Sequence, residues 1–169
     1  GAASPVTVTR ANPASITLTP GPKPPAKRTW EANAVAFSAA PGTPLIAIVL
    51  DDMGLNRHRS DRAARLPGPL TLSYLSYADN LATQTAAARA RGHELMLHLP
   101  MEPTGEADPG PGALLVRLSD AELQERIDFG LGRFPGFVGI NNHMGSRFTA
   151  DRGRMSLVFQ AMHQSGHLF

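Results

Sequence analysis

The chain has 169 residues, 42% hydrophobic and 18% charged, which suits one domain with a buried core and is too apolar for global disorder. It contains no cysteine, so a disulfide scaffold, a thiolate zinc site and a cysteine nucleophile are excluded, and an oxidising compartment is compatible with it. The net charge of +2 splits into +3 before residue 44 and −1 after it, so the folded part has no basic stripe for a nucleic-acid backbone.

Residues 1 to about 43 are rich in Ala, Pro, Thr, Ser and Gly, with prolines 20, 22, 24 and 25 in the run TPGPKPPAKR. Proline lacks a backbone donor and restricts its predecessor, so the stretch reads as an extended tether. The alternation in VTVT (6–9) and SITLT (15–19) is the competing reading, a strand or two. No run of 18 apolar residues predicts a membrane span, and no charged start with an apolar run predicts a leader. Any export signal is expected to have been removed or left out.

From Leu45 the texture changes. LIAIVL (45–50) is a continuous apolar run and predicts a strand buried on both faces. Residues 56–66 predict a helix, 70–75 a second strand, 80–91 an Ala-rich helix ended by Gly92, and 94–98 a third strand. A Pro/Gly loop runs from Pro100 to about Val116. Ser119 and Glu122 then form a capping box for the next helix. Phe137–Ile140 predicts a fourth strand, 152–166 a fourth helix, and His167–Phe169 the first residues of a fifth strand, so a domain cut short is the expectation. Strand–helix alternation at this spacing means an α/β fold with a parallel sheet, open or closed into a barrel. No internal repeat is visible. No GxGxxG or GxxxxGK[ST] follows a strand, which disfavours a nucleotide-binding domain.

Ligands sit at the carboxyl ends of strands in such folds. Asp51-Asp52 follows the first predicted strand. His98 ends the third, with Glu102 four residues on. Asn141-Asn142-His143 follows the fourth, then Ser146 and Arg147. Carboxylates and imidazoles from three strand ends suit a divalent metal, and a spare carboxylate beside it suits a general base. Each residue also has a plainer reading: Asp51-Asp52 as a helix cap, His98 and His143 as structural histidines, Glu102 as a solvated loop carboxylate, the Asn pair as turn formers. His58, His93, His163 and His167 read as structural or solvated.

IVLDDMG (48–54), GHELMLHLPMEP (92–103) and GINNHMGSRFT (139–149) together resemble the divergent polysaccharide deacetylase family, a branch of the NodB-like carbohydrate esterases. The resemblance covers residues 45–169, so 44–169 is expected to be the N-terminal part of that domain. It implies a deformed (β/α) barrel with a metal site at its mouth, and metal-dependent hydrolysis of N-acetyl groups on an envelope glycan such as peptidoglycan. It implies Asp51 as base and Asp52 as metal ligand. The family's second motif pairs two histidines four residues apart, and here His98 takes the first place and Glu102 the second. The expected ligand set for a zinc-like ion is therefore Asp52, His98 and His143, with Glu102 as a further ligand or behind one. By position, Asn142, Ser146 and Arg147 are candidates for sugar hydroxyls. The glutamate replacement leaves a rival reading open, a non-catalytic glycan- or metal-binding envelope protein. The tether ahead of a glycan-directed domain suits an exported, periplasmic or envelope-tethered protein.

Overall fold

The computed structural model describes residues 28–169. The strands considered at 6–9 and 15–19 lie outside them. The elements are α1 (Thr29–Asn33), β1 (Val49–Met53), α2 (Arg57–Ala63), β2 (Thr71–Leu75), α3 (Leu81–Ala90), β3 (Glu94–Met101), α4 (Asp120–Leu131), β4 (Gly139–Met144) and α5 (Arg152–Ser165). The strands form one parallel sheet in the order β1-β2-β3-β4. Each crossover carries a helix, as parallel pairing requires. Leu168 makes a parallel bridge to Gly139, so residues after α5 return alongside β4.

Local chemistry sets the helix ends. Asn56 accepts the Arg59 N–H at 3.0 Å and Asp151 accepts the Arg154 N–H at 3.0 Å. Ser119 and Glu122 exchange the two bonds of a capping box at the start of α4. The Ser119 hydroxyl, which donates to the Glu122 carboxylate at 2.7 Å, and then the Ser119 N–H hold that carboxyl below its usual pKa. Gly166 ends α5 in the left-handed region, with φ +73°.

Strand alternation divides the sheet into two faces. Leu72 and Tyr74 of β2, Leu95, Leu97, Leu99 and Met101 of β3 and Ile140 of β4 are buried. They belong to one core with Leu123 and Ile127 of α4 and Val158 and Met162 of α5. α4 lies close to β3 at Gly130, where a Cβ would stand 2.9 Å from Leu99. The other face carries the polar residues Ser73, His98, Asn141 and His143, placed by the register Leu75↔His98↔Asn141 and Pro100↔His143.

Three expectations need correction. The apolar run 45–50 is not a strand buried on both faces. β1 begins at Val49, among the described residues it pairs only with β2, and Ile46 is 87% exposed. An edge strand with one neighbour has too little cover to bury such a run. Second, β3 continues past His98 to Met101, and β4 contains Asn141–His143 rather than ending before them. Pro100 is tolerated inside β3 because its peptide faces the side of β2, which has already ended at Leu75, so no ladder bond is forfeited. Asp51 and Asp52 likewise lie inside β1.

Third, α1 falls within the stretch whose composition reads as tether, yet it is tied to the domain. Trp30 N–H donates to the Gly166 carbonyl at 3.0 Å, Asn33 Nδ2 to the Phe137 carbonyl at 2.9 Å, and Arg89 Nη1 to the Asn33 carbonyl at 2.9 Å. Backbone and side-chain donors meeting open carbonyls, rather than apolar periodicity, make this contact.

Candidate metal centre

Adjacent residues on a regular strand point to opposite faces, so Asp51 and Asp52 should diverge. They do not, because β1 slips register between Leu50 and Met53 and Asp52 takes φ +56°. This irregularity turns both carboxylates towards β3 and β4. A left-handed non-glycine residue is costly, and such residues gather at functional sites.

Asp52 Oδ1 lies 2.9 Å from His143 Nδ1 and 3.3 Å from His98 Nε2, and the two imidazole nitrogens are 3.3 Å apart. These three side chains form the group able to hold a metal ion among the described residues. Their triangle fits an ion well: bonds of about 2.0–2.1 Å at tetrahedral angles would separate donor atoms by about 3.3–3.4 Å. Two imidazoles and a carboxylate are also the donor chemistry that suits zinc. The His98 side chain is almost fully buried while Asp52 is 65% exposed, so the triangle is rigid behind and open to solvent in front.

Behind the triangle lies a hydrogen-bonded group. Asn141 Oδ1 accepts from Ser73 Oγ at 2.5 Å and faces His98 Nδ1 at 2.8 Å. Asn141 Nδ2 donates to Asp51 Oδ1 at 2.7 Å. Tyr77, just past β2, packs its ring against Gly110, where a Cβ would approach within 2.8 Å. Burial raises its phenol pKa, and the charges of Asp52 and Asp108 raise it further.

The structure thus brings Asp51, Asp52, His98 and His143 together and holds Glu102 differently. Glu102 Oε2 accepts the Val116 N–H at 2.6 Å and Oε1 pairs with Arg147 at 3.0 Å. Ser146 Oγ accepts the Thr104 N–H at 3.0 Å. Glu102, Ser146 and Arg147 therefore lock the loop after β3 to the loop after β4. Asn142 is turned the other way by strand alternation and donates to the Met144 carbonyl at 2.6 Å.

His93 is fully buried. It accepts from the Leu70 N–H at 3.3 Å and donates to the Ala64 carbonyl at 3.1 Å, a structural role. His167 stacks on Phe137 with ring centroids 4.3 Å apart, and burial lowers its pKa.

Sequence reasoning missed Ser73, Tyr77 and the inward role of Asn141. Ser73 left one trace, a small polar residue between Leu72 and Tyr74 in the strand LTLSYL (70–75).

Residues 48–169 match the family described as divergent polysaccharide deacetylase. The uncharacterized protein YibQ of Escherichia coli (strain K12) is 32% identical over 136 residues, which are 77% of this chain and 43% of YibQ. An uncharacterized protein of Haemophilus influenzae is 28% identical over 143 residues, 81% of this chain and 51% of that protein. The crystal structure of uncharacterized protein ATU2773 from Agrobacterium tumefaciens C58 is similar with a TM-score of 0.80 at 32% identity, covering 84% of this chain and 58% of that one. The chain spans about half the length of the curated relatives it matches. With the family match covering the whole sheet and every residue of the triangle, the chain belongs to the divergent polysaccharide deacetylase family.

Proposed function

We propose that this chain takes part in metal-dependent hydrolysis of N-acetyl groups on an envelope glycan. The observation that carries the reading is the triangle of Asp52, His98 and His143 with a second carboxylate, Asp51, beside it. Zinc held there would supply Lewis acidity towards the acetyl carbonyl and lower the pKa of water towards about 7. Asp51 accepts from Asn141 through Oδ1, which leaves Oδ2 to take the proton of the attacking water. The water oxygen bonds to the acetyl carbon, the carbon–nitrogen bond breaks, and the products are acetate and a protonated amine. Tyr77 stays protonated at neutral pH and offers a donor at the rim. Family membership supports a carbohydrate substrate. The absence of cysteine and the Pro/Ala/Thr-rich segment before residue 44 support an exported, envelope-associated protein. No helix among the described residues is long and apolar enough to cross a membrane.

The test is acetate release from N-acetylglucosamine oligomers by the intact protein with zinc added, beside a zinc-binding titration. Asp51→Asn should bind zinc within a few-fold of wild type and lose about 10²–10⁴-fold in turnover. Asp52→Ala and His98→Ala should lose zinc itself. A wild-type protein that binds zinc and glycan without releasing acetate would replace this reading with a non-catalytic glycan-binding one.

A further inference from the structure

We infer that Asn141 is a positioning residue that sets the tautomer of His98 and the placement of Asp51 through one amide. The inference rests on the metal-hydrolase reading for its purpose and on hydrogen-bond chemistry for its substance. The Asn141 NH₂ donates to Asp51 Oδ1 at 2.7 Å. The carbonyl of the same amide is then forced towards His98 Nδ1, 2.8 Å away. A carbonyl only accepts, so Nδ1 must carry the proton. The neutral ring is left with its lone pair on Nε2, the atom that faces Asp52 and His143.

Ser73 adds a second donor to the same carbonyl. It is fully buried on β2, and its hydroxyl donates to the same amide oxygen at 2.5 Å. A flipped amide would set its carbonyl against the Asp51 carboxylate and would require the Ser73 hydroxyl to turn from donor to acceptor. Residues on three strands thus fix one proton on a fourth side chain: Asp51 on β1, Ser73 on β2 and Asn141 on β4 act on His98 of β3. Ring nitrogens of metal-binding histidines commonly take a partner of this kind, worth about 10–100-fold in affinity. Here the partner is an amide that also holds the carboxylate proposed as base.

The experiment combines long-range ¹⁵N–¹H spectra of the histidines in the metal-free intact protein, with the imidazoles neutral, and zinc titrations of the same samples. His98 of the wild type should carry its proton on Nδ1. Asn141→Ala should give a tautomer mixture and about 10–100-fold weaker zinc binding. Asn141→Asp keeps an acceptor for Nδ1–H, so it should keep the tautomer and bind zinc within a few-fold of wild type. It sets a like charge against Asp51, so acetate release should fall although zinc remains. Ser73→Ala should shift zinc affinity by a few-fold. A wild-type His98 protonated on Nε2, or unchanged tautomer and affinity in Asn141→Ala, overturns the inference. A wild type that shows the Nδ1–H tautomer, loses it in Asn141→Ala and yet takes up no zinc would sink the metal reading while the positioning role stands.

Discussion

Gly54→Ala gives a sharp test of how the aspartate pair is held. Gly54 directly follows β1 and has φ +110°, a conformation L side chains rarely adopt. A Cβ there would stand 2.6 Å from the Cβ of Ala78. Neither side can retreat. The Gly54 N–H donates to Ser60 Oγ at 2.9 Å and its carbonyl accepts from Gln84 Nε2 at 3.2 Å. Ala78 is fully buried, its N–H donates to the Leu75 carbonyl at 3.1 Å, and its own carbonyl accepts from Arg133 Nη2 at 3.1 Å. Backbone strain of about 1–3 kcal/mol and overpacking of about 1–3 kcal/mol give a loss of about 2–6 kcal/mol. At roughly 2–4 °C per kcal/mol for a domain of this size, the melting midpoint should fall by roughly 4–24 °C. Ala78→Gly removes the clash and leaves the strain. The double variant should therefore recover about 1–3 kcal/mol relative to the sum of the single changes. Urea melts of the four proteins read the cycle. A Gly54→Ala protein that melts with the wild type, or a cycle with no coupling, would refute the packing argument.

Other outcomes follow from the same contacts. Glu102→Ala should lower stability by about 1–3 kcal/mol, because the Val116 N–H and Arg147 lose their acceptor, while zinc affinity stays within a few-fold. A zinc titration showing loss of binding would make Glu102 a ligand. Asn33→Ala should cost about 1 kcal/mol through the Phe137 carbonyl, and unchanged melting would mean that the segment ahead of β1 stands apart from the domain. The His167 pKa is lowered in the fold, so the unfolded chain binds the extra proton first as pH falls. Stability supplied by the neutral ring is complete above the ordinary value of 6.5 and is lost as pH drops through the lowered one. Urea midpoints measured across that window should slope less in His167→Phe, and an unchanged slope would remove His167 as the source.

Much of the fold was legible because its signals are local. The Ser119–Glu122 box lies within one turn and forms as expected. The strands and helices from residue 70 onward follow from apolar runs and their punctuation. β1 was displaced because a run such as LIAIVL reports affinity for a core and not whether a neighbour covers it. In the candidate site, Asp52, His98 and His143 were legible from residue type and the order of the motifs. Asn141 was not, because Asn-Asn reads as a turn until the register places Asn141 beside His98 and Ser73. Glu102 matched a ligand position in the family pattern, and only the loop contacts show what holds its two oxygens.

The two halves of the triangle differ in lateral support. His98 stands on β3, between β2 and β4, and His143 on β4, which pairs with β3 along six residues without a slip and meets Leu168 on its far side. Asp52 instead stands on β1, at a register slip and joined to the sheet through β2 alone among the described residues. Edge elements open locally at lower free energy than central ones. An ion that bridges Asp52 to the histidines binds the closed form and not the frayed one, so its affinity is transferred to the edge strand as stability. Zinc should slow amide exchange in β1 far more than in β3. The aspartate strand would then serve as a latch that closes on the ion, while the histidine strands wait already formed.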